Sequence, residues 1–149
     1  MSVSTPRQRA VLAWLRMARI VSRTQREAGE RLRDVELSNA QFDVVAQVGA
    51  TEGLTQQELA EKLFVTEGNV CQLLNGLEKK GLVERRRQGR KNHLFLSEEG
   101  RQLAQRAVPA HESWQAGRLD VLTEAEQAEL LRLLRKVDRS QRPQSASDA

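Results

Sequence analysis

The sequence contains a single cysteine, Cys71, no tyrosine, and aromatic residues at only 3% of its 149 positions. One cysteine permits no disulfide within the chain and removes the cysteine-rich zinc modules from consideration. So few aromatic rings offer no platform on which successive single-stranded bases could stack. No apolar run approaches the ~18 residues of a membrane span, and the N-terminus lacks a signal-peptide core. A soluble, cytoplasmic protein is therefore expected. The two histidines, His93 and His111, lie far apart and have no cysteine pattern near them. No metal and no cofactor are expected. There is no G-x-x-x-x-G-K-S/T phosphate loop and no nucleophile paired with a base, so the chain is not expected to be an enzyme.

Positive charge is present and unevenly placed. The formal net charge is +4, but between Lys79 and Lys91 seven of thirteen residues are Lys or Arg. Such a cluster is suited to neutralising phosphates. Just before it lies the run Thr66-Glu67-Gly68-Asn69-Val70-Cys71-Gln72-Leu73-Leu74-Asn75-Gly76-Leu77-Glu78. Val70, Leu73, Leu74 and Leu77 recur at helical spacing, and the Thr66 hydroxyl is placed to cap that helix. The opposite face carries Glu67, Gly68, Asn69, Gln72 and Asn75. Asn and Gln amides pair bidentately with adenine edges, and a major groove is wide enough for one helix. Gln72, Asn69 and Glu67 are the candidate base contacts, Glu67 as an acceptor from a cytosine amino group. Gly68 would let the backbone approach the groove. Cys71 lies one residue off the apolar stripe and is expected to be buried as a small hydrophobe, not to act as a redox switch.

A shorter helix precedes this one. Thr55-Gln56-Gln57-Glu58 has the form of a capping box and is followed by Leu59, Ala60 and Leu63 on one face. Phe64-Val65 then makes a tight connection, so the pair describes a helix-turn-helix. Thr55, Gln56 and Gln57 sit at a helix start, where free N–H groups favour an anion, and are expected to contact phosphate. After the second helix, Gly81 is placed to end it in a left-handed conformation. Leu82 to Arg87 and Asn92 to Leu96 predict two short strands joined through Gln88-Gly89-Arg90-Lys91. Arg86, Arg90 and Lys91 of this basic finger are further candidate DNA contacts.

Helices are expected on both sides of this head. Thr5-Pro6-Arg7-Gln8 is a capping box with Pro at the first helical position. From there Val11, Leu12, Leu15, Ala18, Val21, Ala28 and Leu32 mark a long helix over 6–33. It is longer than a small core needs, so part of its stripe is expected to pack on another chain. Ser38-Asn39-Ala40-Gln41 opens a helix with Phe42, Val44, Val45 and Val48, closing near Gly49–Gly53. Ser97 caps a helix carrying Leu103, Ala104 and Ala107, which Pro109 is expected to kink or split. Thr123-Glu124-Ala125-Glu126 opens a last helix with Leu130, Leu131, Leu133, Leu134 and Val137. The boundaries are an N-terminal helix over 6–33, a central domain over 38–100, C-terminal helices over 101–139, and a disordered tail over 140–149.

Residues 54–100 resemble the winged helix-turn-helix of MarR-type transcriptional regulators. The matching pieces are L-T-x-x-E-L-A-x-x-L from Leu54, V-T-x-x-x-V-x-x-L-x-x-L-E-K-x-G-L-V from Val65, and L-S-x-E-G from Leu96. The order and spacing of the three carry the resemblance. One place departs from it: the family's wing usually carries Asp-x-Arg, and Gln88-Gly89-Arg90 stands here. The resemblance implies a mainly α fold with a small β-hairpin wing, a winged helix-turn-helix flanked by N- and C-terminal dimerisation helices. It implies a homodimeric, sequence-specific DNA-binding repressor on a palindromic operator, with Arg90 inserted into the minor groove. It also implies release of DNA by a small aromatic or phenolic effector, for which Trp14, His111 and Trp114 are the candidate lining; from the residues alone the alternative, core packing of these three, leads. The alternative is a winged-helix protein-interaction module without DNA sequence specificity.

Overall fold

Each helix of the chain starts at a residue whose side chain can replace a missing backbone partner. In this computed structural model, which describes residues 5–142, the order is α1 (Pro6–Arg31), a 3-10 turn (Leu32–Val35), α2 (Asn39–Ala50), α3 (Gln56–Leu63), α4 (Glu67–Lys79), β1 (Val83–Gln88), β2 (Lys91–Leu96), α5 (Glu98–Gly117) and α6 (Glu124–Gln141). Thr5, Ser38 and Thr123 each form the full reciprocal box with the Gln or Glu three residues on. Thr66 accepts from the Asn69 amide at 3.2 Å. Thr55 departs from the expected box. Its hydroxyl accepts from Glu58 N at 3.1 Å and donates to the Glu58 carboxylate at 3.0 Å. The backbone of Thr55 is instead engaged in a bridge to His93.

Two compact units divide the chain, Met1–His111 and Glu112–Ala149. In the first, Phe42, Val44, Val45 and Val48 of α2 are buried with Leu59, Val70, Leu74, Leu77, Leu94 and Leu96. The helix-turn-helix thus rests on α2. Apolar burial on this scale, at roughly 25 cal/mol per Å², supplies most of what holds the head together. The hairpin pairs antiparallel from Val83↔Leu96 to Gln88↔Lys91, leaving a two-residue turn. Gly89 takes φ +64 at its first position, the place where a II′ turn requires Gly. Gly81 takes φ +73 just after α4, as its position in the sequence suggested.

Close packing explains the L-S-x-E-G exit. Ser97 Oγ donates to Gly81 O at 2.5 Å and accepts from Gly100 N at 3.0 Å. A Cβ at Gly100 would lie 2.0 Å from Leu82 O, so no larger residue fits where α5 crosses the strand entrance.

Three expectations are corrected. The first helix ends at Arg31, and a 3-10 turn with Glu36 at φ +56 carries the chain into α2. Pro109 does not split α5, which runs continuously through it; the missing N–H removes one bond from a ladder of twenty residues. The last helix extends through Gln141, beyond the Arg139 expected, because Ser140 Oγ donates back to Val137 O at 2.7 Å and keeps to the helix. The rest of the expected tail, 143–149, lies outside the described residues, as does 1–4 of the expected loose start.

The outer helices differ from the head. On α1, Val11, Leu12, Leu15 and Val21 are exposed and only Ala28 is buried. On α6 no residue is buried, and Leu131, Leu133, Leu134 and Val137 face solvent. Among the described residues no helix is long and apolar enough to cross a membrane, and no group of three or more His, Cys, Asp or Glu is placed to hold a metal.

Candidate nucleic-acid interface

The start of α3, the start of α4 and the wing meet at one cleft. It has a volume of about 230 Å³ and is lined by Thr55, Gln56, Gln57, Glu67, Arg90 and Lys91, with Asn92 completing the wall. Six of the eleven candidate DNA contacts therefore share one polar cleft. Asn92 was not singled out from the sequence; its place at the turn end of β2 beside Lys91 was the available signal.

A short pairing that sequence periodicity did not reveal ties the segment before α3 to β2. Gly53 N donates to Leu94 O at 2.8 Å and Leu94 N to Leu54 O at 2.9 Å. The His93 Nδ1–H donates to Gly53 O at 2.8 Å. Residues 53–55 thus lie along β2 as a third, minimal strand, and the first turn of α3 is fixed relative to the wing. The free N–H groups of that turn and its dipole favour an anion there. Gln56 Oε1 is buried without a partner among the described residues, an acceptor left open to a donor, not to an anion. Arg90 and Lys91 bring two cations to the same cleft. Glu67 brings a carboxylate, an acceptor beside these cations.

The polar face of α4 lies beside it. Glu67, Gly68, Asn69, Gln72 and Asn75 are all exposed, whereas Val70, Leu74 and Leu77 are buried. Thr66 caps this helix and is exposed. On the flank nearest β1, Arg85 bonds to the carboxylate of Glu78, to the Asn75 side-chain oxygen, and to Cys71 Sγ at 3.7 Å. This clamp joins strand to helix and was not anticipated, because only the register of β1 brings Arg85 over α4. Cys71 is half-buried beneath the guanidinium, not fully buried as expected. It contacts a strand that the helical stripe alone did not place.

Arg86 points to the other face of the hairpin. Its guanidinium lies 4.2 Å from the Phe95 ring centroid and 3.2 Å from Glu84, so part of its charge is engaged within the wing. Of the candidate effector residues, Trp14 and His111 belong to the first unit and Trp114 to the second. The His111 ring packs on Phe42 with centroids 4.6 Å apart, Arg118 lies 5.1 Å from the Trp114 ring centroid, and Trp14 is 55% exposed on α1.

Comparison with known proteins decides the family. The sequence profile of the MarR family matches residues 35–91, the span from the 3-10 turn to the wing. An uncharacterised helix-turn-helix transcriptional regulator of Bacillus cereus is 38% identical over 127 residues, 85% of this chain and 86% of its own. This chain belongs to the MarR family of transcriptional regulators. The fold agrees with that assignment. The crystal structure of Staphylococcus aureus MepR bound to DNA has a TM-score of 0.79 at 23% identity, over 87% of this chain and 98% of that one. A MarR family regulator of Listeria monocytogenes complexed with a 26mer DNA has a TM-score of 0.76 at 25% identity, over 85% and 87% respectively. Family and fold are those of DNA-binding regulators of transcription, not of enzymes.

Proposed function

We propose that this MarR family member works in the cytoplasm as a homodimeric repressor that recognises a palindromic operator and leaves it when a small effector binds. The observation that carries the DNA part is the convergence of the α3 start, the α4 start, Arg90 and Lys91 on one cleft. Phosphate contacts from Gln56, Gln57, Arg90 and Lys91 fix register, and Glu67, Asn69 and Gln72 read base edges. Thr55, expected among the phosphate contacts, is buried with its hydroxyl engaged by Glu58 and instead caps α3. Thr66 and Gly68 place the start of α4 against the groove. The exposed apolar positions of α1 and α6 support the dimer, since stripes of this kind ordinarily face a partner. Trp14, Trp114 and His111 supply aromatic surface for an effector. Such a molecule would act by preferring the dimer whose heads are wrongly spaced for DNA.

The test is selection of the purified chain against a pool of random duplexes at two salt concentrations. Enrichment of a palindrome with half-sites about one helical turn apart is expected, with binding that weakens steeply as salt rises. Salt-sensitive binding with no selected motif would contradict sequence reading, and no binding at either salt would contradict the DNA-binding account altogether.

A further inference from the structure

A second groove, about 330 Å³ in volume, runs along the other flank of α4, and its walls mix two kinds of chemistry. Ala40 at the start of α2, Val65 in the turn and Leu73 on α4 are apolar. Asn69 and Gln72, two of the proposed base contacts, line the same groove. The turn that brings Val65 there is a left-handed helix end: Phe64 closes α3 at φ +55 with its N–H donating to Ala60 O and Glu61 O, and the residue is 86% exposed. After this reversal Val65 N donates to Ala60 O at 3.1 Å, and the Val65 side chain is left 37% exposed. Val65 is thus partly covered and partly open to the groove.

Base chemistry supplies an occupant. At an A·T pair the adenine N6 and N7 and the thymine C5-methyl share the major-groove edge. An amide paired with the adenine therefore leaves that methyl at its side, and a methyl is best received by an apolar wall. The groove is continuous with the reading face through Asn69 and Gln72. We propose that Ala40, Val65 and Leu73 form a pocket for a thymine C5-methyl, so that the chain reads A·T pairs by an amide and a methyl together. This rests on the proposal that α4 enters the major groove.

The experiment uses the duplex obtained by selection, resynthesised with deoxyuridine at each thymine in turn, which removes only the methyl. The wild-type chain should lose about fourfold in affinity at one A·T position in a half-site, the size of one buried methyl, and about sixteenfold with both half-sites changed. Val65→Ala and Ala40→Ser, each verified by its thermal melt, should bind the thymine and uracil duplexes nearly alike. A wild-type chain that binds the selected duplex with no penalty at any position overturns the pocket and leaves the groove to some other apolar guest. Full penalties retained in both variants overturn it as well. If no duplex is ever selected, the DNA-reading proposal fails first, a result distinct from the other two.

Discussion

Gly68 occupies the first turn of α4 with no need for glycine that the fold itself supplies. A Cβ there would meet only Thr66 Oγ1, at 3.9 Å, and its φ is not left-handed. Glycine in a helix costs about 0.5–1 kcal/mol relative to alanine, so a close approach from outside is the remaining reason for it. Gly68→Ala should therefore raise unfolding stability by about 0.5 kcal/mol and weaken duplex binding. A variant that is both more stable and equally tight on DNA would separate the α4 start from the groove. Asp43 behaves differently. Desolvation lifts its carboxyl above the ordinary value, opposed by the charge of His111. The folded state thus holds this proton more tightly than the unfolded one. Its stabilising contribution is complete below about pH 3.9 and is lost as pH rises through the folded value. Asp43→Asn should remove that loss, so its advantage over wild type should grow on going upward from about pH 4 in chemical denaturation. Equal pH profiles for the two chains would contradict it. At this scale the sequence was informative wherever a role depends on near neighbours, as with Thr66 and the amides of α4. Asn92 and Arg85 escaped because their partners lie on other elements.

At the scale of elements, most caps and the hairpin were legible, and the pairing of distant segments was not. Thr5, Ser38 and Thr123 each act within three residues, a distance that a sequence pattern encodes directly. The segment 53–55 finds β2 about forty residues away, and no local periodicity announces three residues of extended chain. The same limit hid the Arg85 clamp. Arg85 holds β1 to α4 through Glu78, Asn75 and Cys71 and is half-buried, so the cost of losing it exceeds that of an exposed pair. Arg85→Ala should lower stability by about 1–2 kcal/mol in denaturant unfolding. Arg85→Lys should recover only a part, since one ammonium cannot match a planar fork. An alanine variant that unfolds with the wild type would show the clamp to be incidental. Lys80 adds a second tie, donating to Gln41 Oε1 at 3.2 Å and to the Glu36 carbonyl. Between them the two residues bind α4 both to the wing and to the elbow that leads back into α1.

For the whole molecule, the family and the architecture of the head were legible because three motifs recur in a fixed order around residues that must be buried or must turn. The outer helices were legible as apolar stripes, but one sequence carries no periodicity that states what, if anything, covers them. The account gives the reading head two separable tasks, positioning by charge and recognition by amides. The measurement that tests this most directly compares the wild type, Arg90→Ala and Gln72→Ala on the selected duplex and on a scrambled duplex, each across a range of salt. Arg90→Ala should weaken both duplexes by similar factors and reduce the salt slope by about one per protomer. Gln72→Ala should leave the slope and the scrambled duplex unchanged while lowering the preference for the selected one by about 1–3 kcal/mol. An Arg90→Ala chain with unaltered affinity and slope would contradict the account.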